Sequence, residues 1–283
     1  MHSGRPSRTA LAAARHRAAH QFIEQGCIFS DPLAMRILGE DPETVIHEAE
    51  KQPSKRTIRI FIAVRTRFAE DALAKAFRHG VRQFVILGAG LDTYAYRSPF
   101  GDHLHIFEVD HPATQAWKRQ RLAEAAIPLP NWLIFVPLDF EHESLPDNLL
   151  SAGFNAEQQA FFTWLGVVPY LTEPAIWSTL SYIASLPSGS HVVFDYSNPP
   201  SSYSLRMLIA HNKRASRVAK LGEPLVSHFE TEKLHNKLRT LGYAHIEDIG
   251  PPQIAKRFYS NSTGSFPKSG GHVLHASTSK VTF

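Results

Sequence analysis

Gly88-Ala89-Gly90 stands at the end of the mostly apolar run Gln83-Phe-Val-Ile-Leu87. Glycines at the carboxyl end of a buried parallel strand let the backbone turn sharply and approach a ligand closely. Glu108 and Asp110 end the next apolar run, twenty and twenty-two residues after Gly88. A nucleotide-binding α/β fold places there the carboxylate that accepts hydrogen bonds from ribose hydroxyls. Side chains alternate along a strand, so the two acids share one side, with Asp110 nearer the loop. Asp139-Phe140 ends a third run, and an acid followed by an aromatic suits a purine: the carboxylate accepts from the exocyclic amine and the ring packs on the base face. Each feature also has a plainer reading. These are a strand-to-helix turn, solvated strand-end acids, and a helix cap beside a core phenylalanine.

The residues after the turn narrow the ligand. A dinucleotide explains the glycines and the second-strand acid, but it prefers a third glycine where Thr93 stands. It also brings a pyrophosphate next to Asp92, and like charges repel there. S-adenosylmethionine carries adenine, ribose, a sulfonium and an amino-acid end without phosphate, and Asp92 near its ammonium is favourable. Its carboxylate needs a cation. Arg65 offers a planar fork of donors from the segment before the sheet, although a surface ion pair accounts for that arginine equally well.

Elements of an α/β fold are expected to position these groups. Strands are expected over 83–87, 104–109, 132–137, 160–165, 190–195, 243–248 and 272–277, with helices over 111–126, 173–185, 201–219 and 230–241. β-α alternation of this kind describes a mostly parallel sheet between helical layers. No helix of ordinary length is expected between the last two strands, so they form an antiparallel pair at an edge. Before the sheet, Leu11, Ala14, Ala18 and Phe22 fall on one face of a first helix. Asp31-Pro32 opens a short helix ending near Gly39, residues 40–53 read as polar and irregular, and a long helix runs from Ser54 to Phe77 with Phe61, Val64, Phe68 and Ala72 on one face. Gly80 stops it.

Composition bounds the rest. The 283 residues are 43% hydrophobic and 11% aromatic, enough for one large domain with a sizeable core. A single cysteine, Cys27, excludes an internal disulfide framework and cysteine-rich zinc sites and fits a reducing, cytoplasmic compartment. No apolar run approaches the roughly 18–20 residues that span a bilayer. The acid-free start holds Arg5, Arg8, Arg15 and Arg17; such a start can be a transit peptide or the first helix of the fold, and the helix is the reading adopted. Arg206–Lys220 holds five cations without interleaved aromatics, a solvated helix face rather than a nucleic-acid groove. Asn198-Pro-Pro200 reads as a loop.

Taken in order, the motifs resemble the leucine carboxyl methyltransferase-like class I methyltransferases, and their bacterial branch in particular. The resemblance runs through Thr9–His20, Phe29-Ser-Asp-Pro-Leu33, Arg65-Thr-Arg67, Leu87-Gly-Ala-Gly-Leu-Asp-Thr93, Phe107-Glu-Val-Asp-His-Pro112, Pro137-Leu-Asp-Phe140, Gly166-Val-Val-Pro-Tyr-Leu-Thr172 and Gly270-Gly-His-Val-Leu-His275. It implies a seven-stranded Rossmann-like sheet with helical additions and a reversed last strand; a single domain over 1–283 is expected, with an N-terminal helical cap over 1–80, the core over 81–283 and a candidate lid over 201–222. It also implies that Arg65 holds the cofactor's carboxylate, Gly88 approaches its amino-acid portion, Asp110 holds the ribose, and Asp139 with Phe140 holds the adenine. The family often carries a glutamate at the end of the fourth strand. Leu165 stands nearest that place here, and the contact passes to backbone groups or to Trp164.

The expected function is S-adenosylmethionine-dependent O-methylation of a carboxylate or hydroxyl on a small molecule. No general base is assigned. His111 and His211 are conceivable bases, and Tyr170 is a candidate for the acceptor pocket. A nicotinamide-dependent oxidoreductase and a catalytically silent cofactor-binding regulator are the rival readings. No metal, membrane or nucleic-acid partner is expected.

Overall fold

The computed structural model describes residues 7–258 and 267–279. Arg5, in the basic start, lies outside the described residues. Helices α1 (Arg8–Ile23), α2 (Ala34–Leu38), α3 (Pro42–Glu50) and α4 (Arg56–Arg78) precede the sheet. The sheet is built from β1 (Gln83–Leu87), β2 (His105–Asp110), β3 (Leu133–Pro137), β4 (Ala160–Trp164), β5 (His191–Ser197), β6 (His245–Ile249) and β7 (Gly271–Ser277). Between the strands lie α5 (Pro112–Glu124), α6 (Leu145–Ser151), α7 (Glu173–Ser185), α8 (Leu205–Ala219), α9 (Thr231–Thr240) and α10 (Pro251–Phe258).

The strand order is β3-β2-β1-β4-β5-β7-β6. All neighbours are parallel except β7, which runs antiparallel to both β5 and β6. The expected seven strands and reversed last strand are therefore present, with β7 inserted beside β5 and β6 left at the edge. Alternation along the strands divides the core. Val85, Leu87, Phe107, Phe162 and Trp164 pack against Leu149, Ile176, Leu180 and Leu238 from α6, α7 and α9. Phe84, Ile86, Ile106 and Phe161 face Ile60, Val64, Phe68 and Ala72 of α4.

Four expectations need correction. Phe22 is 48% exposed; the inward face of α1 is Ala14, Arg17, Ala18, Ala19 and His20. Ala14 and Ala18 of the expected stripe lie on it, and two of its other members are polar, which is why apolar periodicity alone extended the stripe to Phe22. Residues 40–53 are not irregular throughout, because Asp41 caps α3, accepting from the Thr44 amide at 2.8 Å, and Pro42 opens its first turn. Ser144 and Pro146 likewise start α6, which buries Leu145 and Leu149. The connection from β6 to β7 contains α10, which buries Ile254 and Ala255; residues 259–266 of that connection lie outside the described residues.

Buried polar contacts fasten α1 to the rest. Arg17 Nε lies 2.8 Å from Asp31 Oδ2 and its Nη2 donates to the Leu91 carbonyl. Asp31 accepts from Thr93 Oγ1 at 2.7 Å and from the Leu33 amide at 3.0 Å. Arg97 donates to Thr93 Oγ1 at 3.0 Å and forks onto Glu70 of α4 at 3.0 and 2.5 Å. Arg59 of α4 forks onto Glu24 at the end of α1, at 2.8 and 2.7 Å.

Asp31→Ala leaves a buried guanidinium without its counter-ion, so a loss of about 3–5 kcal/mol is expected. Urea unfolding checks it, and an unchanged midpoint would show that the sheet does not need the network. His16 of α1, half-buried, is held down to about 4 by burial first and by Lys55, Arg59, Arg217 and Arg214 second. The unfolded imidazole titrates near 6.5, so as pH falls the unfolded chain takes up the proton first. Stability present above about pH 6.5 is lost between there and about pH 4. Thermal midpoints at about pH 7 and about pH 5 should differ less in His16→Gln than in the parent protein.

Candidate active site

The carboxyl edges of β1 to β5 bring most of the expected residues together. β1 runs into the turn with Gly88 at φ +67° and Gly90 at φ +48°. The Gly88 amide donates to the Val109 carbonyl at 2.8 Å, which ties the turn to β2. A Cβ on Gly88 would stand 2.3 Å from Val167 Cγ2, and one on Gly90 3.0 Å from Ala10 Cβ. Both positions thus need glycine for conformation and for space, and the start of α1 covers the turn.

Asp110 closes the arrangement from β2. Its Oδ2 accepts from the Gly90 amide at 2.5 Å and its Oδ1 from the His111 amide at 2.7 Å. Burial pushes its carboxyl up, and the two amides pull against it. His111 itself caps α5, its Nδ1 accepting from the Ala113 amide at 3.2 Å, a structural task that occupies one ring nitrogen. Asp92 Oδ1 accepts from the Tyr94 amide at 2.7 Å, and the residue lines a cleft with Thr163, Leu165 and Thr66. Glu108 is placed differently from Asp110. It is 1% exposed, and its Oε2 lies 2.6 Å from Lys118 Nζ, also 1% exposed. Burial raises its pKa while Lys118 opposes the rise.

From β3, Asp139 Oδ1 accepts from the Glu141 amide at 3.1 Å, and its Oδ2 lies 3.1 Å from His142 Nδ1. Burial raises the Asp139 carboxyl, but the Glu141 amide and His142 outweigh it and hold the group below its usual range. The half-buried Phe140 ring lies 6.3 Å from that of Trp164, which joins the ends of β3 and β4.

At the end of β4 and β5, Arg65 Nη1 donates to Asp195 Oδ2 at 2.9 Å. Asp195 Oδ1 accepts from the Gly166 amide at 2.5 Å. The guanidinium lies over Gly166, where a Cβ would stand 2.6 Å from Nη2. Two buried donors at this edge, Arg65 Nε and Trp164 Nε1, have no hydrogen-bond partner. Buried polar groups are seldom left so unless a ligand or water completes them.

Tyr170 is half-buried in the turn Val168–Tyr170. The Pro169 carbonyl accepts from the Val226 amide at 2.8 Å, which docks the segment after α8. Beyond α8, the Glu223 carboxylate accepts from the Arg8 and Thr9 amides at 3.1 and 3.0 Å, so this segment also caps the α1 turn above Gly90. His211 of α8 packs its ring 5.5 Å from Tyr203 and 5.2 Å from His228; burial, then Arg214, lowers its pKa.

Asp195, Lys118 and Glu223 were not singled out from sequence. Asp195 carried a signal: an acid inside the run His191-Val-Val-Phe-Asp-Tyr196 must find a partner when buried. For Glu223 there was none.

The family model for leucine carboxyl methyltransferase matches residues 10–184. YktD of Bacillus subtilis, whose name proposes an S-adenosyl-L-methionine-dependent methyltransferase, is 35% identical over 246 residues, 84% of this chain and 77% of YktD. A relative from Frankia alni with the same kind of name is 32% identical over 184 residues, 63% of this chain and 64% of that protein. Among solved structures, a DUF574-family protein from Streptomyces avermitilis shares the fold with a TM-score of 0.56 at 14% identity, over 93% of this chain and 96% of that one. The stretch from α1 to α7, which carries the glycine turn, the strand-end acids and Trp164, is thus the stretch the family model spans, and the chain belongs to the leucine carboxyl methyltransferase family.

Proposed function

We propose that this S-adenosylmethionine-dependent methyltransferase methylates an oxygen atom, a carboxylate or a hydroxyl, of a small molecule. The observation that carries the site assignment is the pair of unpartnered buried donors, Arg65 Nε and Trp164 Nε1, at an edge that otherwise offers the acceptors Asp92, Asp110 and Asp139. A ligand with one carboxylate, one ammonium and no phosphate matches that mixture, because a pyrophosphate would meet three carboxylates.

In this reading Arg65 holds the cofactor's carboxylate and Asp195 keeps the guanidinium in place. Gly88 and Gly90 let the backbone approach, Asp92 faces the ammonium, Asp110 takes the ribose, and Asp139 with Phe140 takes the adenine. Glu108, held by Lys118, supports the end of β2 from below rather than touching the ligand. The bound cofactor supplies a methyl group already activated on a sulfonium. The chain's own task is to hold the acceptor oxygen close and in line, an effect worth up to roughly 7–11 kcal/mol. A carboxylate acceptor needs no base near neutral pH, whereas a hydroxyl does. Tyr170 lines the acceptor side. Segment 201–222, with Glu223 behind it, acts as a lid whose hold on the Arg8 and Thr9 amides closes α1 over Gly90. No helix among the described residues is long and apolar enough to cross a membrane, and the exposed free thiol of Cys27 suits a cytoplasmic setting.

Calorimetry tests the assignment. Micromolar binding of S-adenosylhomocysteine is expected, weakened about 10- to 100-fold in Arg65→Ala, since charge-assisted hydrogen bonds contribute about 1.5–3 kcal/mol. Binding of NAD(H) with none of S-adenosylhomocysteine would overturn it. For the lid, Glu223→Ala should speed amide exchange at Arg8 and Thr9 and raise the cofactor's dissociation rate. Unchanged exchange at those amides would remove Glu223 from that role.

A further inference from the structure

A second convergence of ionisable side chains lies at the opposite edge of the sheet, where β6 begins and β7 ends. His245 and Glu247 stand two apart on β6 and so share a face. Glu247 is the ladder partner of His275 on β7, which places the second histidine on the same face. One nitrogen from each histidine and one Glu247 oxygen all lie within 4.8 Å of one another. The group opens into a cleft walled by Phe68, Asp71, Ala72 and Lys75 of α4.

We propose that His245, Glu247 and His275 bind a zinc-class divalent cation. Two imidazole nitrogens and one carboxylate oxygen form a donor set suited to a borderline-soft ion, which leaves a fourth, open position toward the cleft. In a tetrahedral site with bonds of about 2.0–2.2 Å, neighbouring ligand atoms lie roughly 3.3 Å apart. The half-buried His245 and Glu247 close the remaining distance by side-chain rotation, while the buried His275 stays fixed.

The surroundings have the outer shell that metal ligands require. His275 Nε2 lies 3.0 Å from His191 Nδ1, and the two rings stack at 5.2 Å. This fixes the orientation of the His275 ring, and in the tautomer whose Nε2–H donates to His191 the Nδ1 lone pair is the one that takes an ion. Glu247 Oε1 accepts from Arg257 Nη1 at 3.1 Å, which holds the carboxylate at the cleft. Lys75 and Arg257 at the rim oppose a cation. They limit the affinity to the micromolar range rather than that of closed structural zinc sites. Because β6 is the edge strand, a bound ion would fasten it to β7.

The test is zinc titration of the chelator-stripped full chain against a chromophoric chelator. One equivalent is expected at a micromolar dissociation constant, weakened by at least about 30-fold in both His245→Ala and Glu247→Ala, in line with the large effects of disturbing metal ligation. Cobalt should give the visible absorption of a four-coordinate ion in the parent protein and lose it in both variants. Both substituted positions are half-buried, and far-ultraviolet circular dichroism of the metal-free variants checks their fold. The chain holds 16 histidines. Zinc bound with equal affinity by parent and both variants would place it elsewhere, and no binding at about 100 μM zinc would also overturn the proposal. S-adenosylhomocysteine binding, at the other edge of the sheet, is expected unchanged in both variants, which keeps this outcome separate from the cofactor assignment.

Discussion

The Asp31 carboxylate, 1% exposed, is the group on which the arrangement around the glycine turn depends. A buried carboxylate is tolerated only when its charge is opposed and its lone pairs are filled. Arg17, Thr93 and the Leu33 amide do this, and each comes from a different piece of chain. Satisfying one acid therefore brings α1, the start of α2 and the loop after Gly90 to one place. The Arg97–Glu70 fork extends the same contact to α4. The helices before the sheet thus pack around the glycine turn at the carboxyl edge of the sheet. Their position is set by electrostatics in a dry interior as much as by apolar packing.

The same logic recurs at the ends of β4 and β5. Asp195 is buried in an apolar strand, and its two oxygens are shared between Arg65 and the Gly166 amide. That leaves the guanidinium with a fixed orientation and an unpartnered Nε. A rigid, incompletely satisfied donor is better prepared for a ligand than a mobile one, since less rotamer freedom is lost on binding. Glu108 and Lys118 pair at 2.6 Å beneath β2, and the second carboxylate oxygen, Oε1, is buried without a hydrogen-bond partner.

Strands β1 to β5 were legible in the sequence because buried parallel strands read as short apolar runs ending in turn residues. Val85 and Phe162 could not easily belong to anything else. The helices were less legible where polar residues face inward. Arg17 and His20 belong to the buried face of α1, and no hydrophobic pattern could reveal that Asp31, well along the chain, would meet Arg17. Helix α3 was missed although Asp41 and Pro42 are ordinary start signals, because its sequence is polar and one residue of it, Val45, is buried. The acids at the ends of β2 and β3, Asp110 and Asp139, were legible from their spacing after Gly88 and their place at the close of apolar runs. Their supporting partners, Lys118, Asp195 and Glu223, depend on tertiary contacts that no local pattern encodes.

The place of β7 has a bearing on how the chain assembles during synthesis. Among the described residues β6 pairs with β7 alone, and β5 has an unpaired side until β7 arrives. Residues 271–277 must therefore leave the ribosome before the sheet closes. Until then the growing chain presents two open ladder edges, with buried Val192 and Phe194 on one of them. Open edges of that kind invite pairing with other chains, so the interval between synthesis of β5 and of β7 exposes the nascent chain to mispairing.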